Sequence, residues 1–200
     1  MNQLNSVTGA IVTGLILMVI VSIALSGGGI HFSFGNTDRW LHIISGVMWI
    51  GLLYYFNVAQ IPALAAANAD KGGPGGAGIS KYIAPRALLW FRWAALATAI
   101  SGILLIEIAF RRAGGGMVQV LTLQEGFRTI GIGCWLGLIM LFNVWILIWP
   151  NQKKVLGMTP ATDEQKATAR KVAMLTSRVN FVLSVPMLMC MAGQAHGLPF

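Results

Sequence analysis

The segment RWLHIISGVMWIG, residues 39–51, places a histidine near the start of an otherwise apolar run. Moving an imidazole from water into hydrocarbon costs free energy unless the ring finds a partner there. The run is therefore predicted to be a membrane-spanning helix in which His42 contacts one of four partners: a haem iron, a metal ion, a substrate or a neighbouring helix.

The composition is that of a membrane protein. Only 10% of the 200 residues are charged and 56% are hydrophobic, whereas about a quarter of a soluble domain is charged. The formal net charge of +8 does not indicate nucleic-acid binding, because the Lys and Arg residues lie between apolar runs and form no single basic tail or face.

Five apolar runs are long enough for a helix to cross a hydrocarbon core of roughly 30 Å. They are residues 7–25, 40–66, 87–110, 130–149 and 172–193. The expected fold is an all-α integral membrane protein with one domain over residues 1–200. The second to fifth spans form a bundle and the first span is peripheral to it. Thr162 and Gln165 fit a capping box, which predicts a helix that begins there and continues into the fifth span.

The Lys and Arg residues indicate an orientation. Ten of them lie at the 67–86 and 150–171 connectors or the adjoining helix ends, and four lie on the opposite side. Because cytoplasmic loops carry the excess of Lys and Arg, the N-terminus is predicted to be cytoplasmic and the C-terminus periplasmic. The expected location is the inner membrane of a bacterium.

All three histidines lie towards the predicted periplasmic side. His42 is inside a span beside small residues and is the best placed to bind haem b, with His196 or His31 as a second ligand, or Met191 or Met187 in its place. The sequence has no C-x-x-C-H motif, so no covalently attached haem c is expected, and no separate metal site is predicted. The alternative is that each histidine bonds a carbonyl group or water at the membrane interface.

A second polar cluster lies in the predicted cytoplasmic half of the spans. Arginine together with several amides suits a planar, anionic, hydrogen-bonding ligand. The same side chains also suit hydrogen bonds between helices, with the arginines extending to the interface. The candidate substrate-binding residues are Tyr55, Asn57, Gln60, Arg92, Asn143, Arg178 and Asn180.

Two segments carry a family resemblance. RWLHIISGVMWIGLLYYF, residues 39–56, and KYIAPRALLWFRWAALATAISGILL, residues 81–105, resemble the membrane domain of the bacterial urate oxidase (urate hydroxylase) that has a cytochrome c domain at its C-terminus. The resemblance implies oxidation of urate to 5-hydroxyisourate at the membrane, with electrons passed to cytochrome c. The residues that match its motifs are His42, Trp49, Tyr55, Phe56, Lys81, Tyr82, Trp90, Phe91 and Trp93.

Three functional hypotheses remain open at this point. The chain ends at Phe200 without a cytochrome c segment, so a redox-linked protein of this type is expected to pass electrons to a separate cytochrome. The alternative is a non-catalytic accessory or assembly subunit of a larger membrane-bound respiratory or oxidase complex. Transport is a third interpretation, since Pro186 is predicted to kink the fifth span. The sequence does not decide whether the chain is an enzyme.

Overall fold

The computed structural model describes residues 3–27, 29, 32–111 and 114–200, and these residues form helices and connectors without any β-strand. His31 lies outside the described residues. Five of the six α-helices, all except α4, are long and apolar enough to cross a membrane, as predicted. The helices are α1 Val7–Leu25, α2 Phe34–Ala69, α3 Ile79–Phe110, α4 Met117–Leu121, α5 Arg128–Val155 and α6 Asp163–His196.

Several helices are longer than their apolar runs. Helix α2 begins at Phe34, and α3 begins at Ile79, inside the predicted 67–86 connector. Helix α6 follows the predicted capping box: the Thr162 side chain accepts from the Gln165 backbone N–H, and the Gln165 side chain accepts from the Thr162 N–H. This confirms the predicted helix start. The short helix α4 was not predicted, because five residues carry too little periodicity to be recognised.

The chain divides into two compact units, Met1–Thr37 and Asp38–Phe200. In the first unit, the Ser6 side chain caps α1 by accepting from the Gly9 N–H at 3.0 Å. Helix α1 has no buried residue and is apolar on all sides, as expected for a helix surrounded by lipid. The peripheral position of the first span stays a prediction.

In the second unit, α2, α3, α5 and α6 contribute to one hydrophobic core, as a bundle of these four spans requires. Phe56 of α2 packs edge-on against Phe91 of α3, with ring centroids 5.4 Å apart. The core includes Trp49, Leu53, Phe56, Leu88, Phe91, Ala95, Met140, Val144 and Met187.

Three helical turns are widened to π-helical geometry, and a proline follows each of them. The turns are Tyr55–Gln60, Ile79–Ile83 and Asn143–Ile148, and the prolines are Pro62, Pro85 and Pro150. Proline within a helix has no N–H to donate, and its ring clashes with the carbonyl four residues earlier. A wider turn before the proline relieves this clash and keeps the helix continuous.

Asparagine side chains supply hydrogen bonds at the two mid-helix π-turns. Asn57 donates through Nδ2 to the carbonyl of Leu53 at 2.9 Å, just before the turn in α2. Asn180 of α6 donates through Nδ2 to the carbonyl of Met140 at 3.0 Å, just before the turn in α5. Asn143 donates to Asn180 Oδ1 at 2.7 Å, so the amides also join α5 to α6.

Substitution of Asn180 by leucine should destabilise the bundle. Asn180→Leu keeps the number and branching of the side-chain heavy atoms but leaves the Asn143 amide and the Met140 carbonyl without their partner. The expected loss is about 1–3 kcal/mol in the free energy of unfolding, measured by equilibrium unfolding in mixed micelles. The control is Val182→Ala on the same helix, where Val182 is exposed and the expected change is below about 0.5 kcal/mol. Equal stabilities for the two variants would contradict the assigned network.

Candidate functional site

A cavity of about 400 Å³ lies between α2, α3, α5 and α6, with α4 contributing to its wall. Its lining is almost entirely apolar, and among the described residues that line it His42 is the only histidine. Ile43, Val47 and Ile103 lie at the cavity wall and are exposed. The cavity therefore opens on an apolar surface of the bundle, a surface that faces lipid in a membrane.

The partner of His42 is a backbone carbonyl of the neighbouring helix. His42 Nδ1 lies 2.9 Å from the carbonyl oxygen of Thr98 on α3, and the Ser101 hydroxyl is 3.3 Å away. A carbonyl oxygen only accepts hydrogen bonds, so Nδ1 carries the proton and Nε2 has a free lone pair. Nε2 forms no hydrogen bond with any residue that the structure describes.

Gly102 sets the position of the imidazole ring. A Cβ atom built on Gly102 would lie 2.9 Å from His42 Cε1 and 3.2 Å from Nδ1, which is too close for any side chain. The ring therefore packs directly on the backbone of α3. The sequence showed Ser101 and Gly102 only as part of a run of small residues, which indicated close helix packing and not contact with His42.

Other possible ligands in the cavity are sulfur atoms. Met117, Cys134, Met187 and Met191 all line it, so the predicted methionine alternatives share a cavity with His42. Within the described part of the chain, no group of three or more His, Cys, Asp and Glu side chains is arranged to hold a metal ion. His196 is the last residue of α6, is exposed, and does not line the cavity, and its predicted pairing with His42 remains untested.

The second predicted cluster forms hydrogen bonds between its own members and neighbouring helices. Asn143 and Asn180 bond to each other, and both are buried. Asn57 donates to the Ser177 hydroxyl on α6 at 2.9 Å. Asn57 Oδ1 and Gln60 Oε1 are buried and have no hydrogen-bond partner in the structure. The asparagines therefore act as interhelical bonds, as the alternative interpretation expected.

The remaining members of this cluster form no hydrogen bond with the paired asparagines. The Arg92 guanidinium stacks on Trp149, with Cζ 3.8 Å from the ring centroid, and Arg178 is exposed. The Tyr55 ring packs against Phe56 at a centroid distance of 5.7 Å. A substrate site formed by these seven residues stays a prediction.

Residues 114–200 match the family model described as the urate oxidase N-terminal domain. Over these residues, which are less than half of the chain, the protein is similar to the urate oxidase N-terminal family. This confirms the family that the sequence resembles, although the match lies on α4 to α6 and the resemblance was recognised in α2 and α3. No curated protein and no solved structure matches the chain.

Some residues of the cavity lie inside the segment that matches the family model, and others lie before it. Cys134, Met187 and Met191 of the cavity lie within the matched residues, whereas His42 and Thr98 precede them. The cavity is therefore formed jointly by the segment that matches the family model and by the two helices before it.

Substitution of Gly102 by alanine should displace the His42 ring and break its bond to Thr98. With ¹⁵N-labelled histidine, NMR of the wild type should show one ring with a protonated Nδ1 and an unprotonated Nε2, assigned by its loss in His42→Gln. Gly102→Ala should abolish this tautomer signature. Gly137→Ala is the control, because Gly137 lines the same cavity and a Cβ there meets nothing within 4 Å. An unchanged signature in Gly102→Ala would disprove the assigned contact.

Proposed function

We propose that this chain is a redox-linked protein of the bacterial inner membrane in which His42 would hold haem b, and that it passes electrons to a separate cytochrome. The observation that carries the proposal is the state of His42: its Nδ1 bonds to the Thr98 carbonyl at 2.9 Å, its Nε2 has no hydrogen-bond partner among the described residues, and the residue lines an apolar cavity. Histidines that bind iron in proteins have this arrangement, in which the second nitrogen donates to a carbonyl or carboxylate.

The lining of the cavity suits an apolar group. Four glycines line it: Gly46, Gly51, Gly102 and Gly137. A Cβ atom at Gly51 or Gly137 would meet nothing within 4 Å, so their missing side chains leave open space in the cavity. Bound haem would supply one-electron exchange at its iron. The chain supplies the fixed imidazole, the apolar walls and an opening through which an apolar group can enter from lipid.

The haem proposal predicts the optical spectrum of the purified protein. An oxidised-minus-reduced difference spectrum in mild detergent should show a b-type signal, and the haem should be extracted by acidic acetone because it is not covalently attached. His42→Ala should remove the signal because the ring is the proposed ligand. The control is His196→Ala, which should keep it because His196 does not line the cavity.

A colourless, iron-free preparation would contradict the haem proposal. If stoichiometric partner proteins accompany such a preparation, the alternative hypothesis of a non-catalytic accessory or assembly subunit gains support. A b-type signal that survives in His42→Ala would show that haem binds elsewhere in the chain.

The family match favours a narrower second candidate, the oxidation of urate. Urate and one water molecule would give 5-hydroxyisourate, two protons and two electrons, and the electrons would reduce two molecules of a separate cytochrome c. Arg92 is the residue proposed to pair with the urate anion. It is only partly buried and lies against the flat ring of Trp149, so the guanidinium is held in place while part of it stays accessible.

Urate oxidation predicts that urate disappears only when ferricytochrome c is present, with two cytochromes reduced for each urate consumed. Arg92→Ala should lower kcat/KM about tenfold, which corresponds to a loss of roughly 1.4 kcal/mol of transition-state stabilisation. The control is Arg86→Ala on the same helix, because Arg86 is exposed and bonds only to the Tyr82 carbonyl. If the wild type does not turn over urate, this activity is excluded for the chain alone. The haem proposal is tested separately, by the optical spectrum.

A further inference from the structure

We infer that Arg92 and Lys153 bind the phosphate group of an anionic phospholipid, on the face of the bundle where α3 meets α5. The inference goes beyond the proposed function, because it concerns the side chains around Trp149 and not the cavity beside His42. It gives a ligand to two cations that form no salt bridge among the described residues.

Both cations lie close to one indole ring. The Arg92 guanidinium of α3 stacks on Trp149 of α5 with Cζ 3.8 Å from the ring centroid, and Lys153 Nζ lies 5.9 Å from the same centroid. The separation of Cζ and Nζ therefore cannot exceed these two distances laid end to end. All three side chains belong to partly exposed residues, so both cations can be reached from outside the bundle.

The charge of this pair is not neutralised within the chain. All six Asp and Glu residues lie in the described part of the chain, and none of them pairs with Arg92 or Lys153. Two like charges close together repel each other, and an anion between them adds an attraction to each. Phosphate suits the pair, because the guanidinium fork binds two of its oxygens and the ammonium adds a compact positive charge.

The lengths of the two helices place the pair at a membrane surface. Arg128 begins α5, and at 1.5 Å per residue Trp149 lies about 32 Å and Lys153 about 38 Å further along the helix. On α3, Arg92 and Arg111 are about 29 Å apart. A hydrocarbon core is about 30 Å thick, and the whole bilayer with its headgroups about 40–45 Å. The stacked guanidinium and indole therefore lie at the edge of the hydrocarbon, and Lys153 lies among the headgroups of the predicted cytoplasmic surface.

The surface on the membrane side of the pair is aromatic. Trp93 of α3 and Trp145 of α5 pack edge-on with ring centroids 5.5 Å apart, and Trp145 is one helical turn deeper than Trp149. Trp93 is exposed, as is Trp90 on the same helix. Tryptophan is enriched where the hydrocarbon meets the headgroups. The face thus presents cations at the depth of a lipid phosphate and an apolar surface at the depth where its acyl chains begin.

This position favours a lipid phosphate over a soluble anion. Lipid headgroups surround the protein at this depth, and anionic headgroups give the cytoplasmic leaflet its negative potential. The acyl chain of a bound lipid also contacts the exposed Trp93, which a free phosphate ion does not reach. Arg92 is the residue proposed to pair with urate, so a bound lipid would compete with urate for the guanidinium.

The test measures lipid binding by the wild type and three variants, Arg92→Gln, Lys153→Gln and Lys154→Gln. Lys154→Gln is the matched control: it removes the same charge from the next residue of α5, which borders a polar cleft with Glu164 and Gln165 of α6. Each protein is stripped of lipid in detergent and titrated with phosphatidylglycerol or phosphatidylcholine of the same acyl chains. Native mass spectrometry gives the dissociation constant of the first lipid bound.

The wild type should bind phosphatidylglycerol more tightly than phosphatidylcholine. Arg92→Gln and Lys153→Gln should each lower this preference about fivefold, the effect expected for one Lys or Arg near an anionic membrane surface. Lys154→Gln should keep the preference of the wild type. The substituted side chains are only partly buried, so the variants should fold, and Lys153→Gln alone decides the question if Arg92→Gln aggregates.

Three results would overturn the inference. The first is a wild type with equal affinity for the two lipids. The second is an equal loss of preference in Lys153→Gln and Lys154→Gln, which would show that charge anywhere on this surface is sufficient. The third is complete displacement of phosphatidylglycerol by equimolar inorganic phosphate, which would identify a site for a soluble anion. The test requires neither haem nor urate turnover, so its outcome is independent of the proposed function.

Discussion

A polar side chain within a membrane span needs a partner inside the protein, because hydrocarbon offers none. The bond from His42 to the Thr98 carbonyl is the clearest case of this constraint in the bundle. It joins α2 to α3 and leaves Nε2 without a hydrogen-bond partner among the described residues, in a side chain that lines the cavity. It depends in turn on Gly102, since any side chain at that position would collide with the ring. The proposed redox role uses the nitrogen that this bond leaves free.

The same constraint explains the other half of the bundle. Proline removes a backbone hydrogen bond from the interior of a helix. Helices α2 and α5 accommodate Pro62 and Pro150 with π-helical turns. The widened turns lie next to carbonyl groups that accept from Asn57 and Asn180. These asparagines therefore donate to carbonyl groups at the widened turns and hold α6 against its neighbours, which accounts for their positions without a ligand. Whether a substrate also binds there is a separate question for kinetic measurements.

Much of the fold followed from the sequence, since a span of about 20 apolar residues and a capping box are local features. The capping box at Thr162 and Gln165 is an example. The turns before Pro62, Pro85 and Pro150 had a sequence signal, namely a proline inside or next to a long apolar run, but their π-helical geometry depends on packing. The partner of His42 was not predictable, because a backbone carbonyl has no sequence signature and the order of helices around the bundle is not encoded locally.

The central claim is that the cavity holds a planar cofactor bound to His42 Nε2. The most direct measurement is a cryo-electron microscopy map of the protein in lipid nanodiscs, with an antibody fragment bound to increase its size. The account predicts flat density in the cavity that is continuous with His42 Nε2, while Nδ1 remains bonded to the Thr98 carbonyl. A cavity filled by a lipid acyl chain or closed by side chains, with Nε2 bonded to another helix, would contradict the account.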